Sequence, residues 1–312
     1  MTMTNILSFP GLGIGPFELN RVAFSLFGRD VMWYGIIITC GIAAAVIYAM
    51  LRSKTEGINS DYIYDFAIFA ILFGIPGARL YYIVWDGLEN YDSFLDAIAF
   101  WNGGLAIYGG IIGGIIGISI VIAYRKLRFG KVFDMIAPGV MLAQAIGRWG
   151  NFTNAEAHGG ETALPWRMGI AGRGGTVYVH PTFLYESLWN ILGFILINIF
   201  YKKKKFDGEV LLWYVAWYGC GRAMIEGLRT DSLMIGSFRV SQLLAAVSAA
   251  AAVILIIILR AVSVRKKKAP VGIEQANGEE AETNQTDGSG GSNETKETNE
   301  KNGENENVSE NH

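Results

Sequence analysis

The chain has 312 residues, 51% of them hydrophobic, and a formal charge of −2 at pH 7. That total hides an asymmetry: residues 269–312 hold eleven acids against two lysines, a charge of −9, which leaves +7 on the first 268. Almost all the large apolar side chains lie in those 268 residues, which excludes a soluble globular protein and points to a basic integral membrane body with an acidic tail.

Residues 1–31 form an N-terminal segment whose first cationic side chain is Arg21, so the basic region of a signal peptide is missing and no cleavage is expected. Apolar windows of about 20 residues place spans near 32–51, 62–84, 105–124, 132–148, 183–201, 209–226 and 240–260. With seven spans, Arg52 and Lys54, then Arg125, Lys126, Arg128 and Lys131, then Lys202 to Lys205, then Arg265 to Lys268 all fall on one side. The positive-inside rule makes that side cytoplasmic, with the N-terminus outside and the C-terminus inside. The loops 85–104, 149–182 and 227–239 are then external. The middle one is long and glycine-rich, and a small ordered head is expected there. The tail 269–312, rich in Asn, Glu, Thr and Gly, cannot bury enough apolar surface to offset chain entropy and is expected to be disordered. The expected fold is an all-α polytopic membrane protein: an extracytoplasmic segment 1–31, a seven-helix domain 32–268 and a cytoplasmic tail.

Several polar groups stand where a bilayer tolerates few. Gly147-Arg148-Trp149-Gly150-Asn151-Phe152-Thr153-Asn154-Ala155-Glu156 puts an arginine, two asparagines and a glutamate at the outer end of the fourth span. A fixed charge at membrane depth costs about 2.5–3.5 kcal/mol on insertion scales, so it is kept where a pocket or a ligand compensates it. Arg79, Arg148 and Arg222 lie in or beside the outer halves of spans, and Arg229 follows Glu226. Snorkelling to the interface accounts for Arg229. Arg222 and Glu226, spaced i, i+4, can pair on one helix face and leave the cation partly open to an anionic ligand; a purely structural ion pair is the alternative. Arginines outnumber the carboxylates, and a planar guanidinium grips phosphate in two-pronged fashion, which at an outer leaflet selects a phospholipid head group.

The third span opens with Asn102-Gly103-Gly104-Leu105-Ala106-Ile107-Tyr108-Gly109-Gly110 and continues through Gly113, Gly114 and Gly117. Helix packing accounts for Gly110, Gly113, Gly114 and Gly117. The pairs Gly103-Gly104 and Gly109-Gly110 are read as irregular backbone that turns Tyr108 into a cavity. His180-Pro181-Thr182-Phe183-Leu184-Tyr185-Glu186 begins the fifth span, and Pro181 suits a first helical turn. Tyr185 and Glu186 lie about a turn into apolar surroundings. His180 is the best placed of three histidines for acid–base work, with a capping role as the equal alternative; three dispersed histidines make no metal site. Cys40 and Cys220 lie in apolar runs as small buried side chains, without a disulfide.

Together Met32-Trp33-Tyr34-Gly35, Gly77-Ala78-Arg79, Gly103 to Gly110, Gly147 to Glu156, His180 to Glu186 and Tyr218-Gly219-Cys220-Gly221-Arg222 through Glu226 resemble the bacterial prolipoprotein diacylglyceryl transferases, over about residues 8 to 260. The resemblance implies a multi-pass enzyme of the bacterial cell membrane that moves the diacylglyceryl group of phosphatidylglycerol onto the lipobox cysteine of a preprolipoprotein signal peptide, releasing glycerol phosphate. It implies catalytic roles for Tyr108, Arg222, His180 and Glu156. Arg148, Asn151, Tyr34, Arg79, Asn154, Glu226, Gly103 and Gly104 would hold the phospholipid. Its partners are phosphatidylglycerol, the signal peptide and membrane lipids, and no cofactor, metal or nucleic acid is expected.

One departure matters. Many members carry His-Gly-Gly where this chain has Tyr108-Gly109-Gly110, and a phenol with an ordinary pKa near 10 is a poor base at neutrality unless arginines depress it. Thiol deprotonation then falls to His180, to Glu156 or to an arginine-stabilised thiolate. The rival from another class is an anion or lipid transporter, disfavoured because the polar motifs gather at one leaflet.

Overall fold

The computed structural model describes residues 4–172, 174–230, 234–235 and 238–268. Among these, seven helices have eighteen residues or more: α1 (Trp33–Glu56), α2 (Tyr62–Asp86), α4 (Ile107–Tyr124), α5 (Phe129–Asn154), α6 (Thr182–Phe200), α7 (Glu209–Glu226) and α8 (Val240–Lys268), with a short α3 (Phe94–Ile98) between α2 and α4. All but α7 are long and apolar enough to cross a membrane. An apolar run in lipid must satisfy its backbone internally, and a helix does so within one segment. Helix α7 carries Glu209, Arg222 and Glu226, and both glutamates are buried. Met1–Val264 form one compact unit. The acidic tail expected at 269–312 lies outside the described residues.

Glycine sets how closely two of these helices approach. A Cβ on Gly109, Gly113 or Gly117 of α4 would collide with the carbonyl oxygens of Gly77, Phe73 and Phe69 on α2. These three, four residues apart, form the seam. Gly110 and Gly114 sit beside it, with no atom nearer than 3.6 Å to a Cβ built there. The expected roles are therefore exchanged at Gly109 and corrected: both Gly109 and Gly110 are helical, since α4 begins at Ile107. Irregular backbone is confined to Gly103 and Gly104, at φ of 93° and 67°.

The all-α expectation is corrected outside the apolar spans. Strands β1 (Thr4–Phe9) and β2 (Ile14–Asn20) form a hairpin, as do β5 (Met168–Gly172) and β6 (Gly175–Val179), and the four join as one antiparallel sheet in the order β2-β1-β5-β6. A second hairpin, β3 (Val22–Leu26) with β4 (Arg29–Met32), runs straight into α1, and β7 (Met234–Ile235) pairs with β8 (Phe238–Arg239) before α8. The reason is local: Phe17 and Leu19 alternate with Pro16, Glu18 and Asn20, a period of two that suits a strand, after a tight turn over Pro10–Leu12. The head thus combines residues 4–20 with the 168–179 hairpin. It rests on the helices through buried Met168, Val179 and Phe183 packed with Phe9 and Phe152, and Asn5 donates to the Thr153 carbonyl at 3.0 Å.

Helix α5 also runs further than the expected span 132–148. It ends at Asn154, where Ala155 takes a left-handed φ of 52°, so the connection drawn at 149–182 opens six residues later and Asn151 and Asn154 are helical. At the other end of the bundle, Lys204 meets Glu56 at 3.1 Å and Asp134 at 3.4 Å. Asp134 also accepts the Gly208 and Leu211 amides at 2.9 and 3.0 Å, capping the start of α7.

Candidate active site

Three helix ends converge beneath the head: the last turns of α5 and α7 and the first of α6. Helix α5 presents Arg148, Asn151 and Asn154 at i, i+3 and i+6, and α7 presents Arg222 and Glu226 at i, i+4, so each helix offers one polar face. Between them stands Glu186 of α6, 4% exposed. Its Oε2 lies 2.5 Å from a terminal nitrogen of Arg148, and its Oε1 accepts from Arg222 at 2.9 Å. The second terminal nitrogen of Arg222 pairs with Glu226 Oε2 at 2.5 Å. Arg229 approaches Glu186 at 3.8 Å and Glu226 at 3.9 Å.

Two corrections follow. Arg229, expected to snorkel, is drawn into the cluster with a side chain only 11% exposed. Glu186, expected only about a turn into apolar surroundings, is the hub. The signal for it was present: an ionised carboxylate at membrane depth needs a cationic partner, and three arginines stood in neighbouring helix ends. Guanidinium groups from α5 and α7 thus meet on one buried carboxylate, and planar donors of that kind suit the oxygens of a phosphodiester.

A second layer hangs from Arg148, whose other terminal nitrogen donates to Asn151 Oδ1 at 3.3 Å. Asn151 and Asn154 in turn donate to Glu156 Oε1 at 3.0 and 3.2 Å. Glu156 is exposed and sits between Ala155 and Ala157, at φ of 52° and 56°. A left-handed alanine costs about 1–2 kcal/mol, and two of them beside a polar cluster mark a backbone held in place by its surroundings. Tyr34, at the start of α1, packs on Gly150, where a Cβ would come within 2.9 Å of its ring.

The remaining expected residues lie in separate contacts. Buried Arg79 spends its donors on carbonyls: Ala97 at 2.6 Å, Gly103 at 2.7 Å, Gly104 at 3.1 Å and Asp96 at 3.2 Å. It ties down the turn carrying Gly103 and Gly104, and a Cβ on Gly104 would lie 2.6 Å from its guanidinium. Tyr108 has its hydroxyl 3.2 Å from Ser241 of α8 and its ring 6.3 Å from that of Tyr81. His180 Nδ1 lies 3.2 Å from the Tyr185 hydroxyl, which accepts from the Trp166 indole at 2.7 Å. Among the described residues, none of these shares a hydrogen bond or ion pair with the arginine cluster.

A mostly helical polytopic membrane protein with a buried arginine–glutamate site under a small sheet is the class so defined. Residues 21–258 match the model of the prolipoprotein diacylglyceryl transferase family, and the chain belongs to that family. It is 46% identical over 229 residues to the phosphatidylglycerol–prolipoprotein diacylglyceryl transferase of Clostridioides difficile strain 630, covering 73% of this chain and 91% of that one. The enzyme of that name from Finegoldia magna is 46% identical over 228 residues, covering 73% and 90%, and that from Listeria innocua 42% over 248, covering 75% and 87%. The chain is therefore a membrane transferase, and the transporter reading has no support.

Proposed function

We propose that this chain transfers the diacylglyceryl group of phosphatidylglycerol to the lipobox cysteine of a prolipoprotein. The thiolate sulfur forms a bond to the glycerol carbon, the carbon–oxygen bond to phosphate breaks, and glycerol phosphate leaves with that electron pair. The observation that carries the reading is the buried cluster of Arg148, Arg222 and Arg229 on Glu186 and Glu226. Preorganised donors of this kind stabilise charge that develops on a leaving group.

In this reading Arg148 and Arg222 hold the phosphodiester, and Glu186 and Glu226 set their directions. Asn151, Asn154 and Glu156 fix the outer rim, and Tyr34 walls it. Arg79 acts through the turn it holds, presenting Gly103 and Gly104 to the lipid. The thiol, with an ordinary pKa near 8.5, must react as thiolate. Its proton goes to Glu156, whose carboxylate is exposed, or to His180, while Tyr108 orients substrate. Seven membrane spans with the sheet outside and the lysine-rich end in the cytoplasm complete the proposal. They place the site at the outer leaflet of a bacterial cytoplasmic membrane, and the tail 269–312 is dispensable for transfer.

The test is direct. Purified protein with phosphatidylglycerol and a lipobox peptide should add one diacylglyceryl mass to the peptide, and a peptide with serine for the cysteine should gain nothing. No mass gain in membranes where the protein is folded overturns the proposal.

A further inference from the structure

The bundle end opposite the arginine cluster holds a second feature that transfer does not use. A cavity of about 430 Å³ opens between α6 and α8 with α7 as its floor. Leu196 and Phe200 of α6 and Trp213 and Trp217 of α7 supply an apolar lining, and Lys203 and Arg260 stand over it. The trough has a structural cause. Trp189 and Trp217 clamp α6 to α7, with rings stacked at 4.4 Å and each indole donating to the other's carbonyl at 2.9 Å. Helix α8 leans on α7 instead, where a Cβ on Gly219 would lie 2.7 Å from the Ala245 carbonyl oxygen. Two helices packed separately on a third leave a furrow between them.

Lys203 has no acidic partner among the described residues, and Arg260 is only partly engaged. Arg260 uses only Nε, on buried Glu209 at 2.5 Å, and its terminal nitrogens have no protein acceptor among the described residues. Lys203 Nζ rests 4.8 Å from the Phe200 ring centre and Arg260 lies 5.9 Å from that of Trp213, so both cations are held at the rim by aromatic faces. Neighbouring Lys204, by contrast, is consumed by Glu56 and Asp134. An apolar trough along membrane helices, with open Lys203 and the unused terminal nitrogens of Arg260 at one end, fits an acyl chain joined to an anionic head group.

We propose that this furrow binds an anionic phospholipid from the leaflet at that end of the bundle, with its phosphate on Lys203 and Arg260 and an acyl chain along Leu196, Trp213 and Trp217, joining α8 to α6. The site is independent of the transfer reaction and stands whether or not the arginine cluster at the other end takes phosphatidylglycerol.

The experiment is photolabelling of the full chain in nanodiscs with diazirine-bearing phosphatidylglycerol or phosphatidylcholine of matched acyl chains, the crosslinked peptides being mapped by mass spectrometry. Peptide position separates this site from the arginine cluster. Labelling of the Leu196–Phe200 and Trp213–Trp217 stretches should favour the anionic probe. Lys203→Gln should reduce it about fivefold, the factor expected for one cation at an anionic lipid surface. Lys202→Gln, outside the furrow, should leave it unchanged, and Leu196→Trp should abolish it by filling the trough with both cations in place. Equal labelling by the two probes, or labelling indifferent to Lys203→Gln, would reduce the furrow to ordinary annular lipid and overturn the proposal. Because Lys203 is exposed, its variant folds even if Leu196→Trp does not.

Discussion

Arg148 of α5 and Arg222 of α7 share one carboxylate: Glu186 holds the first on Oε2 at 2.5 Å and the second on Oε1 at 2.9 Å. Two cations that would repel across a low-dielectric gap are thereby fixed at a set spacing, with their remaining donors available to a third, anionic group. Removing one partner of a buried pair leaves uncompensated charge and costs about 3–5 kcal/mol.

Glu186→Gln keeps the shape and removes the charge. Both guanidinium groups then lose their fixed direction while the site becomes more cationic. The expected outcome is a fall in kcat of tenfold or more, about 1.4 kcal/mol, with KM for phosphatidylglycerol unchanged or lower. A purely structural carboxylate would instead lower the yield of folded protein and leave kcat per folded molecule intact, which steady-state kinetics on the purified variant distinguishes.

Gly113 tests the seam between α2 and α4. A Cβ there would strike the Phe73 carbonyl, which no rotamer change relieves, whereas one on Gly114 meets nothing closer than 3.8 Å. Gly113→Ala should destabilise by about 1–3 kcal/mol, the usual range for overpacking, and Gly114→Ala by far less. Thermal melting of the two variants in one detergent decides it, and equal melting temperatures would refute the seam.

What could be read from the sequence follows the range of the physics involved. Arg148, Asn151, Asn154, Arg222 and Glu226 were legible because intramembrane charge and helical spacing are local properties. Glu186 as hub and Arg229 as member were not, because both depend on where α5, α6 and α7 bring their ends together. Six of the seven expected spans were legible from apolar length, while the head sheet was not: β1 and β5 lie more than 150 residues apart, and neither hairpin forms a sheet of this size alone. Gly109 and Gly110 were exchanged for a similar reason, since the register of α4 on α2 is set by the partner helix.

The Tyr108 hydroxyl reaches Ser241 across to α8. Histidine can make the same contact through a ring nitrogen, so Tyr108→His should retain most activity, whereas Tyr108→Ala loses both the hydroxyl and the ring against Tyr81. Equal transfer rates for wild type and Tyr108→Ala would show the side chain to be packing alone.

The proposed topology puts the head outside. Single cysteines introduced between residues 160 and 172, in a chain lacking Cys40 and Cys220, should react with a membrane-impermeant maleimide in intact cells. Cysteines at 202–205 should react only after permeabilisation. The reverse pattern would invert the molecule.

The arginines allow function to be separated from structure by one comparison. Arg148 gives one terminal nitrogen to Glu186 and the other to Asn151, a geometry that a fork of donors supplies and a single ammonium cannot. Arg148→Lys keeps the charge, so insertion and folding should persist while transfer collapses by at least a hundredfold, about 2.7 kcal/mol, the scale for losing one transition-state donor. Arg229 stands 3.8 and 3.9 Å from the same carboxylates, beyond hydrogen-bond range, so the fork geometry matters less there. Arg229→Lys should therefore be mild. Near-normal transfer by Arg148→Lys would show that charge alone suffices there, and a loss in Arg229→Lys equal to that in Arg148→Lys would show that the collapse does not report the fork of donors at Arg148.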